Sequence, residues 1–297
     1  MIIDSFLFFQ ELDLLEIRLD YLYEQVDKFV IIEACQTFRG KRKKFNFENH
    51  KNRFKKYSKK IFYYKINDFH HTPEQVYRYL SKHKYSKKRF ISRLLESHHH
   101  YDRKQLWWVL DSYHRECIHL ALKKICNSDD LVIFSDLDEI PSLKVFDLIK
   151  NKKLLFPLVC EQYEFKYYLN SLNNLNWRGS IISPYSYLEN KSLNLLRKES
   201  TSLKKINNAG YHFTSLGGEE LLKSKIENWG HQEFNIDEIK SNLKHNLLTG
   251  RDVFYRLGIS RNKIIDIEKD KIFDMKIKKI LSNYNQLQIK TIIKENL

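Results

Sequence analysis

The sequence predicts an α/β fold with a mainly parallel central sheet flanked by helices, followed by a helical C-terminal tail. Three observations carry that expectation. Short apolar runs alternate with amphipathic stretches, a strand–helix–strand unit fills the first 33 residues, and the apolar run Leu131-Val132-Ile133-Phe134 ends abruptly in Ser135-Asp136-Leu137-Asp138-Glu139-Ile140-Pro141. Strands separated by helices pair in parallel because each helix carries the chain back to the edge where the last strand began.

In order along the chain, Phe6–Phe9 is a strand candidate, Leu12–Tyr23 a helix with Leu12, Leu15, Leu19 and Leu22 on one stripe, and Phe29–Glu33 a second strand. A basic loop leads to a strand at Lys60–Ile66 and a helix at Pro73–Leu80. A long helix is expected from about Arg103 to Cys126, because Leu106, Val109, Leu110, Tyr113, Cys117, Leu120 and Ala121 recur at helical spacing. It feeds the 131–134 strand, which Pro141 brings to a stop. From about Asn262 to Leu297, Ile264, Ile265, Ile272, Met275, Ile280 and Leu281 recur among lysines. Such a basic amphipathic tail either lies on an anionic membrane or packs against the rest of the chain. The expected organisation is one domain over residues 1–258 and a tail over 259–297.

Composition agrees with a compact chain. With 42% hydrophobic and 14% aromatic residues in 297, a sizeable core can form, and 8 glycines and 4 prolines leave no linker-like stretch. Lys and Arg number 52 against 37 Asp and Glu, a net +15 concentrated in Arg39–Lys44, Lys51–Lys60 and Lys82–Arg89. That surplus suits anionic partners such as a phosphorylated ligand or a membrane face. Phe54, Tyr57, Tyr63, Tyr64, Tyr79 and Tyr85 interleave with it, yet no nucleic-acid-binding motif accompanies the charge, so nucleic acid is not an expected partner. Cys35, Cys117, Cys126 and Cys160 are widely spaced with no CxxC pair, which reads as reduced thiols and a cytoplasmic location. No apolar stretch approaches eighteen residues, and Met1–Ser5 has no basic leader.

The carboxylates after the 131–134 strand carry the chemistry. Residues two apart in extended chain point the same way, so Asp136 and Asp138 can offer oxygens to one hard cation, Mn²⁺ or Mg²⁺, of the kind that also binds a diphosphate. The His98-His99-His100 tract reads as a surface loop, since three consecutive residues do not converge on one centre. Arg115 can reach a diphosphate or pair with Asp111 one helical turn earlier.

Four blocks resemble glycosyltransferase family 17, the group that includes the bisecting N-acetylglucosaminyltransferases: QELDLLEIRLDYLYEQVDKFVIIEACQTFRGKRK at Gln10–Lys43, SDLDEIP at Ser135–Pro141, WRGSIISPY at Trp177–Tyr185, and Ala209–Asn235 with AGYHFTSLGGEE and KIENWGHQEFN. The resemblance spans roughly residues 1–258 and implies a GT-A-like nucleotide-sugar transferase. It implies a UDP-sugar donor, N-acetylglucosamine by the same warrant, a glycan or lipid-linked oligosaccharide acceptor, and inversion to a β linkage. Glu33, Thr37, Phe38, Arg115 and Asp136 are then donor-binding, with Arg39 and Lys41 as further diphosphate candidates. Asp136, Asp138 and the late His212 become the metal set, His231 being a competitor for the last place. Glu219, Glu233 and Asp252 are alternative catalytic bases, with Glu220 beside them, and Trp177, Tyr185, Tyr187, Tyr211 and Trp229 are available to stack on sugar rings or to fill the core. Relatives with a Golgi tether differ from this sequence, which resembles a bacterial or viral version working in the cytoplasm, peripheral at the inner membrane face.

Overall fold

The computed structural model describes residues 1–82, 86–151, 156–256 and 262–290. Tyr85, the 258/259 domain boundary and the tail beyond residue 290 lie outside the described residues.

The chain opens with β1 (Ile2–Leu7), α1 (Leu12–Leu22), β2 (Lys28–Ala34), a short α2 (Asn46–Asn49) and β3 (Ile61–Ile66). Helices α3 (Pro73–Lys82), α4 (Ser86–Glu96), α5 (Leu106–Glu116) and α6 (Ile118–Leu122) lead to β4 (Leu131–Asp136), β5 (Glu139–Pro141) and α7 (Leu143–Lys150). The long hairpin β6 (Leu158–Lys166) and β7 (Ser171–Pro184) precedes α8 (Tyr185–Leu188), α9 (Leu193–Lys198), β8 (Lys204–Ile206) and β9 (Gly210–Thr214). Helices α10 (Gly218–Asn228) and α11 (Asp237–Thr249), the two-residue β10 (Lys263–Ile264) and α12 (Met275–Leu281) complete it.

The strands form one sheet in the order β3-β2-β1-β4-β7-β6-β9-β5, with β10 on β7 and β8 on β6. Its first part, β3 to β4, is parallel, built from the strand–helix alternation the sequence announces. Beyond β4 the hairpin makes it mixed: β7 runs antiparallel to β4 and β6, and β9 is parallel to β6. Adjacent residues of the continuous apolar runs face opposite layers, as in a sheet covered on both sides. Phe29, Ile31 and Ile133 join the core under α1, α7 and the tail, while Val30, Ile32, Val132 and Phe134 join the core under α3 to α6 and α9. A third, smaller cluster holds α10 and α11 against Tyr167, Val253 and Phe254.

Several element expectations need correction. The first strand spans Ile2–Leu7 instead of Phe6–Phe9, because Ile3 to Leu7 pair with β2 and Ile2 to Leu7 pair with β4. The single helix expected over 103–126 is two, tightened at Cys117, whose carbonyl accepts from the Leu120 amide at 2.9 Å in a three-residue turn. The Lys82–Arg89 charge run contributes to α4, whose Ile91 and Leu95 are buried. The tail packs inward: Ile265, Phe273, Ile277 and Leu281 lie in the α1-side core, and Phe273 stacks on Phe165 and Tyr211. Met275 is 79% exposed and Ile272 and Ile280 are partly buried, so the helical stripe has its apolar side turned to the domain.

Candidate functional site

Strand β4 ends at Asp136, and the chain turns at once into β5, which pairs antiparallel with β9. This places Glu139 opposite His212, while Glu164 of β6 is opposite the same histidine from the other side. His212 therefore stands between two acidic strands. Its Nε2 lies 3.6 Å from Asp138 and its Nδ1 lies 3.7 Å from Glu164, both longer than a hydrogen bond, and Nδ1 is buried without a partner. The indole of Trp177 stacks on the imidazole with centroids 4.4 Å apart and donates Nε1–H to Glu139 at 2.9 Å.

Two arginines reach this turn from separate helices. Arg115 of α5 pairs with Asp111 at 3.0 Å and also with Asp136 at 3.2 Å, so both readings of that residue are realised together. Arg197 of α9 bonds Asp136 at 2.9 Å and Glu139 at 2.7 and 2.9 Å. The buried carboxylate of Glu116 fixes α9 by accepting from the Leu193 and Asn194 amides and the Ser192 hydroxyl, a cap supplied from a neighbouring helix. Asn194 in turn accepts from Arg115 at 3.1 Å, which locks the two guanidiniums into one arrangement.

The electrostatics follow. Burial alone would raise the Asp136 pKa, but Arg197 and Arg115 outweigh it and hold the carboxyl below its ordinary range. For Asp138 burial is likewise overcome, here chiefly by His212. Burial opposes a charged imidazole, yet Asp138, Glu139 and Glu164 together hold His212 above its ordinary value. Lys166 is depressed by burial.

These groups open onto a cavity of about 1230 Å³. Its lining includes Thr37, Phe38, Ser112, His114, His98 and Tyr101, and also Lys166, Trp229, His231, Glu233, Phe234 and Phe254. Asp136, Asp138, Arg115, Arg197, His212 and Lys225 line it too, with Lys225 4.0 Å from Asp138 and over the Trp229 ring at 5.9 Å. Trp108 closes one side, edge-on to His231 at 4.7 Å.

Of the donor-binding expectations, Thr37, Phe38, Arg115 and Asp136 line this cavity, as do Asp138 and His212. Glu33 does not. Its buried carboxylate accepts from the Asn46 and Phe47 amides and from Tyr63, and pairs with Lys43, so it serves the start of α2. Asp136, expected beside Asp138 on one cation, has both oxygens engaged by arginines. Among the base candidates, Glu233 lines the cavity and pairs with His231 at 2.7 Å; Glu219 is exposed on α10, and Asp252 is buried against Arg256 and Tyr167, outside the lining. Trp177 and Trp229 face the cavity, whereas Tyr185 and Tyr211 are core and Tyr187 packs on it. The His98–His100 tract is a loop, as expected, with His99 and His100 exposed, but His98 is buried and both His98 and His100 line the cavity. Glu164, Lys166 and Arg197 were missed. The first two had a signal, since Gln162, Glu164 and Lys166 put a polar side chain at every second position of a strand. Arg197 had none, because its partners lie 58 and 61 residues away.

Among the described residues, no group of three or more His, Cys, Asp or Glu side chains is arranged to hold a metal ion. An Asp138 oxygen and the His212 Nε2 nevertheless face one another at 3.6 Å, a hard oxygen beside an imidazole nitrogen, and a cation that keeps waters or takes phosphate oxygens needs no more than one or two protein ligands. The donor set fits such an ion.

The model of the family described as glycosyltransferase family 17 matches the chain over residues 1–93 and 75–254, two overlapping stretches that contain every cavity residue named above. No individual curated protein matches. With a mixed sheet flanked by helices and a cavity at the end of β4 into which charged side chains converge, the chain belongs to glycosyltransferase family 17 and is a glycosyltransferase.

Proposed function

We propose that this glycosyltransferase moves N-acetylglucosamine from a UDP-sugar to a hydroxyl of a glycan or lipid-linked acceptor, with inversion to a β linkage and with Mn²⁺ or Mg²⁺ bound. The observation that carries the reading is the convergence of Asp138, His212, Arg115, Arg197 and Lys225 on one cavity. Cationic side chains there suit a diphosphate, and the lining at Thr37, Phe38 and His114 suits a nucleoside. Asp138 and His212 would hold the metal, which when bound supplies Lewis-acid neutralisation of the leaving diphosphate.

The chain's own residues do the rest. Arg197 and Arg115 fix Asp136 and the turn that bears Asp138, while Lys225 adds a positive charge on the same side. Trp229, Phe234 and Phe254, with Trp108 opposite, offer ring faces to an acceptor sugar, and the flanking carboxylates can take its hydroxyl proton. Glu233 and Glu164 are our candidates for that step among the acids of the lining: Glu233 is exposed at the rim, and Glu164 is buried between His212 and Lys166. A cytoplasmic setting, with any contact to an anionic membrane made through surface lysines, completes the proposal.

The test is hydrolysis of a panel of nucleotide sugars with Mn²⁺, Mg²⁺ or chelator. Metal-dependent UDP release from UDP-N-acetylglucosamine is the expected result; no release from any donor, with no thermal stabilisation by UDP and metal, overturns the reading. With an acceptor in hand, Glu233→Gln and Glu164→Gln are compared: the base is the one whose loss lowers kcat by about 10²–10⁴-fold with donor affinity kept.

A further inference from the structure

Arg18 lies on α1, outside the cavity lining, and its side chain is wholly buried. An isolated guanidinium is very costly in such a place, so its partners must account for it. Asp4 of β1 accepts from Nε at 2.8 Å and from Nη2 at 2.6 Å, a forked pair that cancels the charge. The remaining N–H groups leave the ion pair altogether. Nη2 also donates to the Ser135 hydroxyl at 2.6 Å, and the two N–H groups of Nη1 are shared among the main-chain carbonyls of Asp136, Leu137 and Glu139, each 2.9 Å from the nitrogen. Phe6 supports the guanidinium from one face, with its ring centroid 4.5 Å away.

Stability alone does not call for this arrangement. Well-packed apolar side chains commonly serve a core as well as a buried ion pair does. What an apolar residue cannot do is satisfy three carbonyls that turn inward where the chain leaves β4 and enters β5. Lysine cannot serve those carbonyls together with Asp4 and Ser135, because its one ammonium has three donors at a single point, whereas the guanidinium spreads five across a plane. Arg18 thus grips the backbone of the turn from behind while Asp136 and Asp138 project into the cavity in front.

We propose that Arg18 is a positioning residue for the cavity carboxylates: through the Asp136, Leu137 and Glu139 carbonyls it sets where Asp138 stands relative to His212 and where Asp136 stands relative to Arg115 and Arg197. It acts through the backbone and touches no substrate. The assignment rests on the transferase reading above, because the function of the positioned turn is to receive a nucleoside diphosphate with its metal.

The experiment is calorimetric titration of UDP, with Mn²⁺ and separately with Mg²⁺, into the full chain and two variants. Arg18→Lys keeps a cation in place; Leu22→Ala cuts a buried leucine from the same helix and serves as a control for lost stability alone. Arg18→Lys is expected to weaken metal-dependent UDP binding by about 10- to 100-fold, the loss typical when a group that orients a ligand is removed, while Leu22→Ala binds as the parent at a temperature where both remain folded. Equal loss of melting temperature in the two variants with unchanged Kd in both overturns the proposal and leaves Arg18 a stability residue. Should Arg18→Lys not fold, Ser135→Ala removes one bond of the same grip, and its unchanged Kd would likewise overturn it. A parent chain that binds no nucleoside diphosphate with either metal overturns the transferase reading and this proposal with it, whereas a parent that binds alongside an equally binding Arg18→Lys overturns this proposal alone.

Discussion

His114 sits beside Arg115 on α5 and turns into the protein, its ring 5.6 Å from that of Phe38. Burial pushes its pKa down to about 3, against an unfolded value near 6.5. Because the folded state refuses a proton that the unfolded chain accepts, its stabilising effect is complete above about pH 6.5 and is lost as pH falls toward 3. At pH 5 the loss from this one residue is on the order of 2 kcal/mol. His98 and His119 are lowered by burial too and act in the same direction, while the raised His212 acts in the opposite one. Urea midpoints at pH 7 and pH 5 should therefore fall for the parent, and less for His114→Phe, which keeps an aromatic ring but cannot titrate. An equal fall in both would remove His114 from the account. At this scale the sequence was legible where chemistry is local. Asp136 and Asp138 were readable from the strand that leads into them, and they line one cavity with His212, yet the guanidiniums that engage Asp136 were not both foreseeable, since a helical arginine gives no sign of a partner 61 residues away.

At the scale of elements, the site depends on how closely β5 and β9 approach. Gly210 has φ +152°, and a Cβ there would sit 2.2 Å from the Ile140 carbonyl oxygen and 2.9 Å from the Pro141 Cα. Those atoms are backbone and belong to the strand that follows Asp138, so no side-chain rotation relieves the clash. Gly210→Ala is expected to cost about 2–3 kcal/mol and to abolish metal-dependent UDP binding, read by urea titration and calorimetry on the same preparation. The strands and helices that recur with a clear period were readable from sequence: α1, β2, β3 and β4 lie within a residue or two of expectation. The three-residue β5 and the hairpin β6–β7 were not, because β5 is too short to have a period and β7 exchanges its burial pattern along its 14 residues from exposed to buried.

For the whole molecule, the tail is the instructive part. Its periodicity was legible, but two outcomes shared it, and only the positions of its partners decide: Tyr21 and Tyr211 bond Asp274, while Asn170 accepts from the Ile289 amide at 3.0 Å and donates to its carbonyl at 2.8 Å. Residues 262–290 thus close the core that β1, β2, β6 and β9 share. A chain ending at residue 256 is expected to lose its cooperative melting transition, and Phe273→Ala to lower stability by about 3–5 kcal/mol, both measured by calorimetry. A truncated chain that melts as sharply as the parent would mean that the tail is an accessory.

The strand order has a further effect, on the timing of synthesis. β3, β2 and β1 are available once residue 66 has emerged, yet the other neighbour of β1 is β4, which begins at residue 131. At about 5–20 residues per second the ribosome takes roughly 3 to 13 seconds to deliver it. For that interval a three-stranded parallel ribbon carries an open apolar edge at Ile2–Leu7, the kind of edge on which nascent chains pair with one another. Helices α3 to α5 emerge during the same wait and can cover one face of the ribbon, but not its edge, so the yield of folded protein should depend on translation speed between residues 66 and 131 more than anywhere else in the chain.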